Sequence, residues 1–192
     1  MKTIQILAAL WLLSVTSTVF ALEIENVKLP DSISSTTPGA KLLLNGAGIR
    51  TKFIFDIYVG ALYLESKDSN AEKIINSKGE KQIFLHFLYK EVTKKKLTAG
   101  WTDGFEDNNS SAQMAKLKDR LNKFNAMFIT VKKGNTMRFD FLPDGLLKVS
   151  INNETRGEIN GYDFQQALLK VWLGQEPATE DLKAAMLGKT DE

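Results

Sequence analysis

An α+β fold, a large antiparallel sheet with a layer of helices on one side, is what the sequence predicts, and three observations predict it. Apolar residues alternate every second position in four segments, apolar spacing of three and four residues takes over in others, and the links between the later strands are too short for parallel crossovers. The first alternating segment is Phe53 to Leu64. Phe53, Phe55, Ile57, Val59, Ala61 and Tyr63 fall on one face and Ile54, Asp56, Tyr58, Gly60, Leu62 and Leu64 on the other, so both faces of this long strand are expected to be largely buried. Alternation returns in Ile83, Leu85, Phe87 and Tyr89 against Phe84, His86 and Leu88, then in Met137, Phe139 and Phe141, and then in Leu147, Val149 and Ile151. Pro143-Asp144-Gly145 and Asn152-Asn153 supply turn chemistry between the later strands, which makes them a local meander.

Helical spacing is clearest over Ser111 to Phe128, where Met114, Leu117, Leu121, Phe124 and Phe128 build one apolar face. Glu91 to Phe105 is expected to be helical in spite of Gly100 and Gly104. A further helix starts at Asp163, as N-cap, and runs through Phe164, Leu168, Val171 and Trp172 to Gly174, its C-terminal stop. The last spans Thr179 through Leu182 and Met186 to Gly188.

With 192 residues, 43% hydrophobic and 25% charged, the chain has ordinary globular composition, and no repeat or linker divides it. A formal charge of +2 gives no whole-chain electrostatic footprint for nucleic acid. The absence of cysteine removes disulfides, thiolate nucleophiles and cysteine metal sites, and the single histidine, His86, excludes a multi-histidine metal cluster; no cofactor and no metal is expected. At the N-terminus, Lys2, an apolar run from Ile4 through Val15, and Val19-Phe20-Ala21 form the three regions of a secretory signal peptide, with cleavage expected after Ala21. The unbroken apolar run is shorter than the ~20 residues that span a bilayer, so no stable membrane anchor is expected. Residues 22–192 then form a single domain, secreted and most simply periplasmic, that relies on its core without bridges.

The candidate site begins at Arg50, which follows Asn45-Gly46-Ala47-Gly48-Ile49, read as a glycine-rich bend entering the long strand. Even spacing, with the strand continued back to Arg50, puts Arg50 on the face of Asp56 and Tyr58. A guanidinium and a phenol on one face of an apolar neighbourhood form a receptor for a carboxylate or enolate. The plainer alternative is a structural ion pair between Arg50 and Asp56. His86 reads as a satisfied, half-buried strand residue, Trp101 and Trp172 as core, and Lys94 to Lys96 as a solvated helix face, with anionic headgroup contact as the other reading. Gly46-Ala47-Gly48 lacks the third glycine of a dinucleotide fingerprint.

The order Leu44-Asn45-Gly46-Ala47-Gly48-Ile49-Arg50, Tyr58-Val59-Gly60-Ala61-Leu62-Tyr63-Leu64-Glu65, Gly157-Glu158-Ile159-Asn160-Gly161-Tyr162-Asp163-Phe164 and Trp172-Leu173-Gly174 resembles the chalcone isomerase-like family, in its bacterial, secreted branch. The resemblance covers about Leu29 to Gly188. It implies an open-faced β-sandwich, a large antiparallel sheet carrying a layer of helices. In the plant isomerases of that family an arginine after the glycines positions the substrate oxygen with a threonine, a tyrosine and an asparagine, whereas a fatty-acid-binding branch holds a carboxylate with the arginine and a tyrosine. On an ungapped alignment Arg50 matches the arginine and Tyr58 stands in place of the threonine, as in the fatty-acid-binding type. The isomerases' tyrosine and asparagine fall on Leu97 and Gly104, which can donate neither a proton nor a hydrogen bond. The resemblance thus implies a non-catalytic domain, with no catalytic residues, that binds a small apolar ligand with an acidic head. Arg50 and Tyr58 would hold the head, and apolar side chains between sheet and helices the tail. The alternatives are an intramolecular lyase of the isomerase type, with Arg50 stabilising an enolate, and a structural or interaction module without a small ligand.

Overall fold

The computed structural model describes residues 21–189. The targeting segment expected over Met1 to Ala21 therefore lies outside the described residues except for Ala21, and among the described residues no helix is long and apolar enough to cross a membrane.

Sixteen elements follow in order: β1 Ala21–Ile24, β2 Val27–Pro30, β3 Ser32–Ser34, β4 Lys41–Lys52, β5 Phe55–Leu64, α1 Ala71–Asn76, β6 Lys81–Phe87, β7 Glu91–Val92, α2 Lys94–Asn108, α3 Ser111–Ala126, β8 Val131–Lys132, β9 Thr136–Phe141, β10 Leu146–Ile151, β11 Glu154–Asn160, α4 Tyr162–Leu173 and α5 Glu180–Met186. Seven strands pair in the order β11-β10-β9-β6-β5-β4-β3, antiparallel throughout. The predicted α+β sheet with helices is thus present, and β9, β10 and β11 form the expected meander. Asn152 and Asn153 both take positive φ in the β10–β11 turn, the conformation that asparagine tolerates best after glycine.

The sheet's two faces are covered differently. On one, Leu62, Leu85, Phe139, Phe141, Leu147 and Val149 meet the helices in a core centred on Trp101, Phe124, Phe164 and Trp172. On the other, Val59, Ala61 and Tyr63 pack with Leu42, Leu44 and the β1–β2 hairpin residues Val27 and Leu29. That explains why β5 reads as apolar on both faces: from Tyr58 to Leu64 it is buried on both.

Four expectations are corrected. Phe53 and Ile54 are not strand residues but the turn joining β4 to β5; Phe53 has φ +58° and both side chains are exposed, because the segment before them is itself a twelve-residue strand that must reverse. Gly46-Ala47-Gly48 is no bend but the interior of β4, where missing side chains let α5 lie directly on the sheet. Asp163 is not an N-cap. Gly161 occupies that position with φ +123°, and Asp163 sits in the first turn, where its carboxylate accepts from Arg120 at 2.6 and 2.7 Å. Finally, Glu91 and Val92 form a short strand against β8, and α2 starts only at Lys94 after Thr93, whose hydroxyl accepts from Lys96 N.

Two buried groups on β5 and β6 set a pH dependence. Lys81 donates to Ser77 O and Gly79 O at 2.8 Å each, and burial holds its ammonium down at about 8 from 10.5, with Glu65 opposing. Burial, reinforced by Asp31, pushes the Tyr63 hydroxyl up from 10.0 to about 12. Between about pH 8 and 10 the unfolded chain holds more protons at the lysine, so stability rises with pH; beyond that the unfolded tyrosine ionises first and stability falls. Thermal melts are expected to peak at about pH 10, and a steady decline from pH 8 upward would contradict the burial of Lys81.

Candidate ligand-binding site

Arg50 and Tyr58 are brought together across two strands rather than along one. They are direct Cα partners in the β4–β5 ladder, so their side chains leave the same face, the helix-covered one. The guanidinium carbon lies 5.7 Å from the Tyr58 ring centroid. Asp56 is not part of the arrangement. It is exposed and accepts from Thr51 Oγ1 at 2.9 Å, because the register shifts between Arg50 and Thr51. The structural ion pair is therefore absent: among the described residues the Arg50 guanidinium makes no hydrogen bond or ion pair, and its Nε is buried without a partner.

Tyr58 is fully buried, and Trp172 Nε1 donates to its hydroxyl oxygen at 3.0 Å. Because that bond uses an oxygen lone pair, the phenolic proton remains free to be donated elsewhere. Burial raises the Tyr58 pKa, against opposing contributions from Arg50 and the Trp172 bond, so the hydroxyl stays protonated at neutral pH. Trp172, expected only as a core residue, is thus also the group that orients Tyr58. Tyr58→Phe is expected to lower stability by about 1–3 kcal/mol, the cost of stranding the buried indole N–H, measurable by urea unfolding; a neutral effect would show that Trp172 finds another acceptor.

Both residues open onto a cavity of about 190 Å³ between the β4–β5 end of the sheet and helices α2 and α4. Its apolar wall comes from Ile57, Phe87, Val92, Leu97, Trp101 and Val171, and its exposed rim carries Lys52 and Lys96 against Asp103, Asp107 and Glu176. Leu97 and Gly104, the two positions at which the resemblance places isomerase side chains, line this cavity beside Arg50 and Tyr58. All four carried-over positions therefore converge, and two of them contribute no polar group. Trp101 Nε1 is a second buried donor without a partner on a lining residue. Farther in, the space between sheet and helices is filled: Trp101, Phe124, Phe128, Phe139 and Trp172 touch one another with ring centroids 4.8–6.3 Å apart. The room expected there for a ligand tail is limited to the cavity itself.

The amino-acid sequence matches the family model described as chalcone isomerase-like over residues 21–188. The chain belongs to the chalcone isomerase-like family. Among solved structures, the crystal structure of an Arabidopsis thaliana fatty-acid binding protein is similar to it with a TM-score of 0.68 and 16% sequence identity, covering 88% of this chain and 96% of that one. At that identity the likeness establishes the fold. A search of curated proteins finds no match.

Within this chalcone isomerase-like chain, Gly100 shows what spacing alone missed. It sits on an exposed face of α2 and lines the cavity, and a Cβ there would meet no atom within 4 Å. Packing does not require this glycine, and a helix interior disfavours it by about 0.5–1 kcal/mol relative to alanine. His86 is half-buried, with a pKa lowered by burial, and does not line the cavity.

Proposed function

We propose that this chain is an exported, non-catalytic binding protein, from the bacterial secreted branch of the family, that takes a small apolar molecule with an acidic head, in the simplest case a fatty acid. The observation that carries the reading is Arg50, a guanidinium without a counter-charge among the described residues, facing a cavity whose wall is apolar. Arg50 is half-buried and its Nε is buried without an acceptor, and a carboxylate in the cavity supplies the missing partner bidentately while the free Tyr58 proton adds a third bond. The fatty-acid binding protein among its structural neighbours supports the ligand class. Leu97 and Gly104 support the absence of catalysis, since neither can move a proton where general acid–base assistance is worth ~10²–10⁴-fold. At about 190 Å³ the cavity falls below the ~300–1,000 Å³ typical of drug-sized ligands, so it holds a head group and the nearest carbons, with a longer tail continuing past the rim.

The test is native mass spectrometry of protein purified from its source under mild conditions, followed by calorimetric titration of the delipidated protein with medium- and long-chain fatty acids. A bound acid and saturable titration are expected, together with a native N-terminus at Leu22. Failure of every acid to bind, or saturable chalcone cyclisation that needs Arg50, would overturn the reading.

A further inference from the structure

The β4–β5 turn carries the most exposed large apolar side chains of the described residues, Phe53 at 89% and Ile54 at 86%, followed by Phe55 at 48%. Phe53 holds its place at a backbone cost, because φ +58° favours glycine or asparagine and an aromatic residue gains nothing in the fold from standing there. The surroundings are basic. Lys52 enters the turn and shares the cavity rim with Lys96, the Phe55 ring stacks edge-on against Tyr89 at 5.4 Å, and Lys90 follows Tyr89 and accepts at its carbonyl from Lys133 N. Lys95 and Lys132 complete an exposed set in which no ammonium has an ion-pair partner among the described residues. The nearby acidic groups are Asp56, which is hydrogen-bonded to Thr51, Glu91, which faces Lys132 in the β7–β8 ladder, and Asp103, Asp107 and Glu176 across the cavity rim. Lysines in the first turn of α2, with no acidic residue there, also oppose the helix dipole, so helix stability does not account for them.

We propose that this end of the molecule docks on an anionic lipid bilayer, the Phe53–Phe55 tip entering the interface and the surrounding lysines meeting the headgroups. A projecting apolar tip ringed by long cationic side chains fits a bilayer surface, where the rings are buried and the ammonium groups remain among phosphates. The docked orientation turns the cavity rim, which includes Lys52 and Lys96, toward the membrane. The docking surface does not depend on what the cavity holds, and its test uses protein without ligand, so its failure leaves the fatty-acid reading standing.

The experiment is vesicle sedimentation of the chain from Leu22 onward, with vesicles of phosphatidylglycerol mixed into phosphatidylcholine and of phosphatidylcholine alone. Binding is expected to the anionic vesicles only, weakening steeply as salt screens the lysines. Phe53→Gly combined with Ile54→Ser should reduce partitioning at least tenfold while leaving the melting temperature equal or higher, because glycine relaxes the turn. Lys95→Glu with Lys96→Glu should reduce it at least as much, given roughly fivefold per lysine. No binding to anionic vesicles, as for a surface that serves a protein partner, would overturn the proposal. So would equal binding to neutral vesicles, or a turn variant that binds like the wild type.

Discussion

Gly46→Val is expected to destabilise the fold by about 4 kcal/mol or more, a large share of the ~5–15 kcal/mol available to a domain. A side chain at Gly46 would collide with the Ala185 carbonyl oxygen and stand within 3.0 Å of Gly188 N and Met186 O, all backbone atoms that cannot rotate aside. The helix end is also fixed from below: Asn45, in the irregular step between Leu44 and Gly46, donates to Met186 O at 2.7 Å and exchanges bonds of 2.8 and 3.0 Å with the Asp68 backbone. α5 therefore has to lift off the sheet to admit the valine, uncovering Leu182 and Met186. The contrast is Gly100→Ala, whose methyl meets nothing and which should gain about 0.5–1 kcal/mol from helix propensity. Urea unfolding of both variants checks the pair; a cost under 1 kcal/mol for Gly46→Val would mean that α5 does not rest on β4.

The same glycines show how far the amino-acid sequence can be read. The sheet and its helices were legible because periodicity reports burial, and β6, β9, β10 and α3 lie close to where the alternation and the three-to-four spacing put them. β4 was not legible as a strand. Its Gly46 and Gly48 are there to admit a helix that arrives some 140 residues later, a long-range demand that leaves only a local turn signal. The Phe53–Ile54 turn was hidden for the opposite reason, since its apolar side chains continue the alternation of β5 into solvent. At the site, even spacing puts Arg50 and Tyr58 on one face only by way of a continuous strand, whereas cross-strand register is what brings them together. Trp172's hydrogen bond to Tyr58, and the place of Gly100 on the cavity wall, depend on tertiary packing and have no sequence-local trace beyond the oddness of a glycine in a helix.

Arg50→Met is expected to weaken binding of a fatty acid roughly ten- to hundredfold, the equivalent of a charge-assisted hydrogen bond, while changing the affinity for the methyl ester of the same acid little. The ester keeps the tail and the carbonyl but carries no charge, so the difference isolates what the guanidinium contributes. Stability should move the other way. No carboxylate is stranded by the change, since Asp56 is exposed and bonded to Thr51, and replacing a half-buried guanidinium whose Nε has no partner with an apolar chain of similar reach removes an unsatisfied buried donor. Arg50→Met is therefore expected to melt at or above the wild-type temperature, a combination that a purely structural arginine does not produce. Calorimetric titration of acid and ester, run beside melts of the same samples, reads both quantities. Equal losses for the two ligands would make Arg50 part of the cavity wall rather than its anion receptor, and a marked fall in melting temperature would give it a structural partner that the geometry around Asp56 does not provide.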